Sequence, residues 1–399
     1  MNILFVHNAY QNFGGEDAVV EMEIALLRSH GHAVRLYQRH NDELQALSAA
    51  TAAASALWSR RTAREVDAVC TDFLPDLIHV HNTFPLISPS IYWTAARKRI
   101  AVVQTLHNFR LLCAQGTFLR QGTVCEDCLG RSPWRAVVRK CYRESVPQSA
   151  VLAGMLSAHR LAGTYRTRIT RYIALSAFSR ARFIAGGLPA QRLRIKPNFV
   201  DGTLLPGRGQ RGGGLFVGRL SNEKGIGTLL GAVRQGGAAR IEAIGAGPLQ
   251  AAVERELGDS YLGFRARAEI MQKMRSASFL IVPSMCLEQL PTTILEAFAS
   301  GLPVIASRLG ALPNIVEDGV TGLLFNPGDE VDLAKKIAWA DAHGEQMQQM
   351  GRAARAEYEA KYTPSINYQM LIDIYDEAIA EVQGQRHAAR GSFGPRYLG

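Results

Sequence analysis

The chain has 399 residues, a net charge of +10 and a hydrophobic content of 47%. This length and composition predict two globular domains and exclude a disordered or fibrous protein. The first residues, MNILFVHNAY, contain neither a basic segment nor a cleavage site, and no apolar run reaches the roughly 18 residues that a membrane-spanning helix needs. We therefore expect a cytoplasmic protein, or one that lies on the inner face of the cytoplasmic membrane.

In the first half of the chain, short apolar runs alternate with helical patterns, which predicts an α/β fold with a parallel sheet. Gly14 and Gly15 follow the first predicted strand, at the edge of the sheet where such folds bind ligands. His81 and His107 end two later strands and are expected to face the same cleft; the alternative for either is a structural histidine. The predicted strands are 2–9, 32–39, 76–82 and 101–108, and the predicted helices are 17–30 and 43–69.

Four of the six cysteines lie close together after the fourth strand, with the spacing C-x11-C-x2-C-x12-C. They are Cys113, Cys125, Cys128 and Cys141. Four thiolates around a C-x2-C knuckle form a ligand set that suits tetrahedral zinc, whereas disulfides are rare in a reducing compartment. We predict a structural zinc site that folds a loop with little core of its own; buried free thiols and an iron–sulfur cluster are the alternatives.

The stretch from Cys128 to Val200 is strongly basic, with 14 Lys and Arg against one acid. Such a surface predicts an anionic partner, which is a phospholipid headgroup, a lipid diphosphate or a nucleic acid. Within it, residues 149–170 have the pattern of a basic amphipathic helix. That helix either lies at a membrane interface or packs on its own domain.

A stretch rich in Pro, Gly and Arg, residues 192–214, is the predicted linker to a second domain. The segment LFVGRLSNEKG that follows is a strand and a turn, and it carries Gly218, Arg219 and Lys224. Two cations at the carboxyl end of a strand can bind a diphosphate and stabilise it as a leaving group. A later strand enters another glycine-rich turn, which contains Gly245 and Gly247.

Residues 281–310 have the pattern strand, loop, helix, strand, and the helix is predicted to start with Pro291 in its first position. A helix amino terminus offers free N–H groups and a partial positive charge to a diphosphate. Glu288 in the loop can accept a hydrogen bond from a hexose hydroxyl, and Glu296 in the helix can accept those of a ribose. The alternative is an ordinary βαβ unit with two solvated glutamates.

Four motifs occur in the same order as in the family-four retaining glycosyltransferases, which the chain resembles over roughly residues 1–375. The motifs are G-R-x4-K at 218–224, G-x-G-P at 245–248, E-x7-E at 288–296 and D-G-x-x-G-x-L at 318–324. The four-cysteine insert is similar to one in a bacterial subgroup. The resemblance implies the GT-B architecture, an α/β fold with two Rossmann-like domains facing across a cleft. Its parts would be an acceptor-side domain at 1–195 with the insert at 113–141, a donor domain at 196–375, and a tail at 376–399 whose helix crosses back to the first domain.

The resemblance also implies roles for individual residues. His107, from the T-x-H pattern, would contact the donor sugar or the acceptor, Glu288 would orient the donor sugar, and Arg219 and Lys224 would stabilise the leaving diphosphate. Gln289, Leu290 and Pro291 stand where the family has Phe-Gly, so the donor loop is expected to differ in shape. The donor-binding set is Gly14, Gly15, Gly218, Arg219, Lys224, Gly245, Gly247, Glu288, Gln289, Leu290, Pro291, Thr292 and Glu296.

The reaction that the resemblance implies is a retaining, metal-independent transfer of a hexose from a UDP- or GDP-linked donor to a saccharide acceptor. We expect the acceptor to be linked to polyprenyl diphosphate and the product to be a surface or secreted polysaccharide, with no cofactor for catalysis. An anionic membrane surface is an expected partner and nucleic acid is not. A sugar-nucleotide epimerase or phosphorylase on the same fold is the first alternative. A nucleic-acid-binding protein that uses the basic stretch is the second.

Overall fold

The computed structural model of the protein describes residues 1–11, 13–201, 206–207, 211–236 and 240–391, with side chains described as far as Gln385. The described residues form two six-stranded parallel sheets and one short hairpin, β5–β6. The strands are β1 (Asn2–Ala9), β2 (Ala33–His40), β3 (Leu77–Asn82), β4 (Ala101–Leu106), β5 (Leu119–Arg120), β6 (Thr123–Val124), β7 (Arg171–Ala174), β8 (Leu193–Ile195), β9 (Gly214–Val217), β10 (Ile241–Ile244), β11 (Tyr261–Gly263), β12 (Phe279–Val282), β13 (Val304–Ser307) and β14 (Gly322–Phe325).

The helices cover both faces of each sheet. They are α1 (Gly15–Ser29), α2 (Ala49–Leu57), α3 (Arg60–Phe73), α4 (Ser90–Lys98), α5 (Arg135–Val138), α6 (Val146–Leu161), α7 (Thr164–Thr167), α8 (Ala177–Ala185), α9 (Ile226–Arg234), α10 (Gln250–Leu257), α11 (Arg267–Ser276), α12 (Thr292–Ala299), α13 (Leu312–Ile315), α14 (Glu330–Ala342), α15 (Gly344–Lys361) and α16 (Pro364–Gly391). In the described part of the chain, no helix is long and apolar enough to cross a membrane.

The first sheet has the order β2-β1-β3-β4-β7-β8, and the second has the order β11-β10-β9-β12-β13-β14. Successive side chains of a strand point to opposite faces, so a sheet covered on both sides reads as a continuous apolar run. On β1, Leu4 and Val6 enter one core cluster while Ile3 and Phe5 enter another. The apolar runs in the sequence therefore predict these central strands correctly.

The helix predicted at 43–69 is wrong in its continuity. The region holds a 3-10 helix at Asn41–Ala46 and then α2 and α3 as separate helices. Two serines explain the breaks: the Ser48 hydroxyl accepts from the N–H of Thr51, and the Ser59 hydroxyl accepts from the N–H of Thr62. A serine in this capping position has extended backbone angles and starts a new helix.

The basic helix predicted at 149–170 ends earlier, at Leu161, and packs on its own domain. Gly163 follows with a positive φ of 67°, a conformation that favours glycine and stops the helix. Leu152 and Leu156 are fully buried in the first domain's core, while Leu161 is 90% exposed. The alternative in which the helix packs on its own domain is therefore correct for the apolar face of the helix.

Helix α16 returns from the second domain to the first sheet. Its Leu371, Ile374 and Tyr375 are buried in the same cluster as Ile3 and Phe5 of β1. The tail predicted at 376–399 is helical as far as Gly391, and residues 392–399 lie outside the described residues. The predicted linker, 192–214, begins with β8 and ends where β9 starts; its residues 202–205 and 208–210 also lie outside the described residues.

Candidate active site

A cavity of about 250 Å³ lies between the two sheets, at the carboxyl ends of their strands. The first domain contributes Gly15 and Glu16, which follow β1, and His107, which follows β4. The second domain contributes Lys224, Glu288 and the start of α12. This is the edge at which open parallel sheets bind ligands.

The loop after β12 delivers the amino end of α12 to the cavity. Pro291 is the residue before the helix, with extended angles of φ −63° and ψ 124°, so α12 starts at Thr292, one residue later than predicted. The first N–H groups of a helix have no partner within it, and Leu290, Pro291, Thr292 and Thr293 line the cavity. Across the cavity, a Cβ atom built on Gly15 would lie 3.6 Å from the Thr292 hydroxyl, so the glycine-rich turn closely faces this helix end.

Lys224 and Glu288 form an ion pair on the wall of the cavity. The Lys224 Nζ atom donates to Glu288 Oε1 at 2.7 Å, and the Ser284 hydroxyl donates to the same oxygen at 2.9 Å. Burial raises the pKa of Glu288, but the Lys224 charge and these hydrogen bonds outweigh burial, so the pKa is lowered. Burial lowers the pKa of Lys224, and Glu288 outweighs that effect, so both groups are charged near neutral pH.

Three predicted glycines pack the turns of the second domain tightly together. A Cβ atom on Gly245 would lie 1.9 Å from the Gly218 carbonyl oxygen, and one on Gly247 would lie 2.4 Å from the Leu220 carbonyl oxygen. Gly218 lines the cavity, and Gly245 and Gly247 lie behind it. Gly225, at φ +74°, similarly brings the turn that carries Lys224 against Pro283.

Arg219 and Glu296 lie apart from the residues that line the cavity. The Arg219 side chain is 66% exposed, and its guanidinium is 3.9 Å from Glu223. Glu296 lies one turn along α12, where Arg267 Nε is 3.4 Å from its Oε1. Burial raises the pKa of Glu296, and Arg267 only partly opposes this. The predicted contacts of these two residues with a donor therefore stay predictions.

Gln289 connects the two domains beside His107. With its amide in the orientation that satisfies both partners, it donates to the Leu106 carbonyl at 2.8 Å and accepts from the Asn108 N–H at 3.2 Å. The Leu287 N–H also donates to the Thr117 carbonyl in the first domain, at 3.2 Å. Gln289, one of the residues that stand in place of the family's Phe-Gly, thus holds the donor loop against the end of β4.

His107 lines the cavity and is supported from behind by His81. Its Nε2 atom lies 2.8 Å from His81 Nδ1, and the two rings are stacked with centroids 5.1 Å apart. Burial lowers the pKa of both imidazoles, so both are neutral near pH 7. Of the two histidines predicted to face the cleft, only His107 is among the residues that line this cavity.

The side of His81 away from the cavity faces a buried polar cluster. Glu23 Oε2 lies 3.5 Å from His81 Nε2 and 3.7 Å from His79 Nδ1. Lys196 Nζ donates to Glu23 Oε1 at 2.8 Å and to Asn367 on α16 at 3.0 Å. Glu23, His79 and His81 are close enough to hold a metal ion, but the buried ammonium already neutralises the carboxylate and would repel a cation. Sequence reasoning did not find this cluster, because its members lie in separate helices and strands.

The four predicted zinc ligands lie in the insert that contains β5, β6 and α5. Burial, together with the thiols of Cys113, Cys141 and Cys125, raises the pKa of Cys128 to about 11. The Arg139 guanidinium lies 3.7 Å from Cys125 Sγ. Their ligand atoms do not form a set that lies within 4.8 Å in the described residues, unlike those of the Glu23 cluster.

Sequence profiles of two families match the chain. The profile described as "Glycosyl transferases group 1" matches residues 213–340, and the one described as "Glycosyl transferase 4-like domain" matches residues 14–198. The amylovoran biosynthesis glycosyltransferase AmsK of Erwinia amylovora is 29% identical over 225 residues, 51% of this chain and 55% of that protein. The match therefore spans about half the length of this curated relative.

Two solved structures resemble nearly the whole chain. Sucrose-phosphate synthase from Thermosynechococcus elongatus has a TM-score of 0.69 and 18% identity, with coverage of 97% of this chain and 99% of that one. HepE of Anabaena, in complex with UDP-glucose, has a TM-score of 0.66 and 20% identity, with coverage of 94% and 100%. These likenesses confirm the predicted fold of two Rossmann-like domains.

Proposed function

Because the chain belongs to the group 1 glycosyltransferases, we propose that it transfers a hexose from a nucleotide-diphosphate sugar, UDP- or GDP-linked, to a saccharide acceptor. One observation carries the proposal: a half-buried, charged lysine, a helix amino terminus and a carboxylate line the same cavity between the domains. This combination suits a diphosphate joined to a sugar. The UDP-glucose complex of HepE supports a donor of this class.

In the proposed reaction, the diphosphate lies at the amino end of α12, where free N–H groups donate hydrogen bonds to its oxygens. Lys224 stabilises the charge that builds on the diphosphate as the glycosidic bond breaks. Glu288 keeps the Lys224 ammonium in place and orients a hexose hydroxyl. Arg219 would contact the diphosphate only if its exposed side chain turned toward the donor. Glu296 would bind the ribose after release from Arg267.

We assign His107 to the donor sugar or the acceptor hydroxyl. It is neutral, so it can donate or accept a hydrogen bond without placing a charge beside the sugar. If Glu23 favours a proton on His81 Nε2, then His81 Nδ1 accepts from His107 Nε2, and His107 Nδ1 is left to accept a hydrogen bond. His81 and Glu23 are positioning residues in this scheme.

We also propose that the transfer retains the anomeric configuration and needs no metal. Lys224 and the α12 amino end supply the positive charge that a metal ion would otherwise bring to the leaving group. We infer a role in polysaccharide biosynthesis, which the name of AmsK supports, and we propose that the acceptor is lipid-linked. Several cations of the basic stretch pair with acids, such as Arg194 with Glu377 and Arg139 with Asp127, so the exposed Arg131 and Arg135 of the insert are the better candidates for an anionic membrane surface.

A structural zinc ion would be held by the thiolates of Cys113, Cys125, Cys128 and Cys141. The mutual effect of these thiols on the pKa of Cys128 supports a shared site, because thiolates that repel each other are stabilised by a cation. The Arg139 charge acts to lower the pKa of Cys128, which favours the thiolate. The ion would cross-link the insert and take no part in the transfer.

Incubation with labelled UDP- and GDP-hexoses and a lipid extract tests the proposed activity. We expect transfer from one donor, in the presence of a chelator, to a product whose anomeric signal in NMR matches the donor's configuration. Release of a hexose 1-phosphate that depends on phosphate would instead indicate a phosphorylase. Conversion of the donor to its epimer would indicate an epimerase.

A further inference from the structure

A second cavity, of about 460 Å³, lies in the first domain between α2 and α6. We call it the α2 groove. Four alanines of α2 line it, and they have the spacing of a single helix face: Ala49, Ala52, Ala53 and Ala56. Val151 of α6 lies opposite. These five side chains carry no polar atoms, so their surface suits a hydrocarbon chain, although Asn41 and Gln148 also line the groove.

One end of the α2 groove is cationic. Arg110 lies over the Phe84 ring with its Cζ atom 5.4 Å from the ring centre, and its Nε atom is buried without a hydrogen-bond partner among the described residues. Arg143 lies over the Tyr142 ring at 5.6 Å. Two guanidinium groups at the end of an apolar groove are complementary to an apolar chain that ends in phosphate.

The cationic end adjoins the cavity of the candidate active site. Tyr10 lines the α2 groove, and its hydroxyl donates to Glu16 Oε2 at 2.9 Å. Glu16 lines the other cavity, and its Oε1 atom is buried without a hydrogen-bond partner in the described structure. A single pair of side chains thus connects the two cavities, and a free carboxylate oxygen is left where they meet.

We propose that the α2 groove binds the first isoprenoid units of a diphosphate-linked acceptor, with Arg110 and Arg143 facing its phosphates. The order of groups in such an acceptor matches the order of surfaces: hydrocarbon along α2, diphosphate at the arginines, and saccharide toward Glu16. The inference rests on the proposed function, because it names the acceptor of the same reaction. The volume is in the range of pockets for one small ligand, about 300–1,000 Å³, and favours a single chain over the two chains of a phospholipid.

Farnesyl diphosphate is a probe that carries both chemical features, and its binding can be measured by calorimetry. Ala53→Trp fills the groove, and Ala54→Trp is the matched control because Ala54 is exposed and is not part of the lining. We expect Ala53→Trp to weaken binding of farnesyl diphosphate at least tenfold and Ala54→Trp to leave it unchanged. All variants should bind UDP or GDP as the original chain does. Ala49→Trp, at an exposed lining position, replaces Ala53→Trp if the latter unfolds.

Two results would overturn the inference. In one, Ala53→Trp and the control Ala54→Trp have the same affinity for farnesyl diphosphate, whether that affinity is unchanged or reduced. In the other, the original chain binds UDP or GDP but not farnesyl diphosphate, which leaves the proposed function intact. If neither nucleotide binds while farnesyl diphosphate does, the proposed function fails and the groove remains a lipid site. Arg143→Gln should weaken farnesyl diphosphate binding and leave UDP or GDP binding unchanged, which identifies the anionic end.

Discussion

Replacing Lys196 with Met should destabilise the first domain, because it leaves a charge buried without its partner. Lys196 follows β8, Glu23 lies in α1, and their side chains are completely buried. Their 2.8 Å contact, together with Asn367 of α16, joins three separate segments of the chain behind the active site. Lys196→Met keeps the approximate volume of the side chain and removes its charge.

The expected magnitude follows from this burial. Removing one member of a buried ion pair costs about 3–5 kcal/mol, because the remaining charge is desolvated and unpaired. For a domain of this size, 1 kcal/mol corresponds to roughly 2–4 °C in the unfolding midpoint, so we expect a decrease on the order of 10 °C. The double variant Glu23→Gln, Lys196→Met removes both charges and should recover most of this loss.

Thermal unfolding followed by circular dichroism measures the effect. Lys361→Met is the matched control: Lys361 pairs with Glu357 on the surface, and its side chain is 58% exposed. A surface pair of this kind contributes about 0–1 kcal/mol, so the control should shift the midpoint by no more than a few degrees. The reasoning is refuted if Lys196→Met has the same unfolding midpoint as the Lys361→Met control. It is also refuted if the double variant is no more stable than Lys196→Met alone.

Three further predictions concern pH, metal and the donor sugar. Burial lowers the pKa of His79, His81 and His107 below the ordinary 6.5, so below that pH the unfolded chain binds protons that the folded chain does not. Stability in urea should therefore fall as the pH drops from 7 to 5, by up to about 1.4 kcal/mol per pH unit for each histidine, and a flat profile would contradict this. If zinc is bound, elemental analysis should find one ion per chain, Cys128→Ser should lose it, and a chelator should lower the unfolding midpoint; a metal-free protein of unchanged stability would exclude the site. Glu288→Gln should lower kcat/KM roughly 10–100-fold through the lost hydrogen bond to the hexose and lower UDP affinity by a smaller factor, because Lys224 keeps its charge but loses the carboxylate that holds it. Equal losses of both would show that Glu288 acts through Lys224 alone.

The sequence predicts the central features of the fold because these depend on local patterns. Apolar runs identify the buried strands, and the turn at Gly225 has a local backbone requirement, with a φ value of 74°. The helix predicted at 43–69 failed because a single serine can restart a helix within a helical pattern. Ser48 and Ser59 would have given a signal, since each begins the pattern of a capped helix.

The site was predicted in part. Lys224, Glu288 and the start of α12 meet because motifs at strand ends must lie at one edge of a parallel sheet. The buried cluster behind His81 could not be predicted, because the contacts of Lys196 with Glu23 and Asn367 span more than 170 residues of sequence. The direction of a side chain could not be predicted from the sequence either. Arg219 belongs to the same motif as Lys224, yet its side chain is exposed to solvent.

The central claim is that Lys224 and the amino end of α12 bind the diphosphate of the donor. Calorimetric titration of UDP and GDP into the original chain, Lys224→Met and Lys273→Met tests it most directly. Lys273 is the control because it pairs with Glu242 at 2.8 Å in the same domain, and it does not line the cavity. We predict that one nucleotide binds, that Lys224→Met weakens it roughly 10–100-fold, as expected for lost charge-assisted hydrogen bonds, and that Lys273→Met does not. Binding of neither nucleotide, or equal affinity in the original chain and Lys224→Met, would contradict the claim.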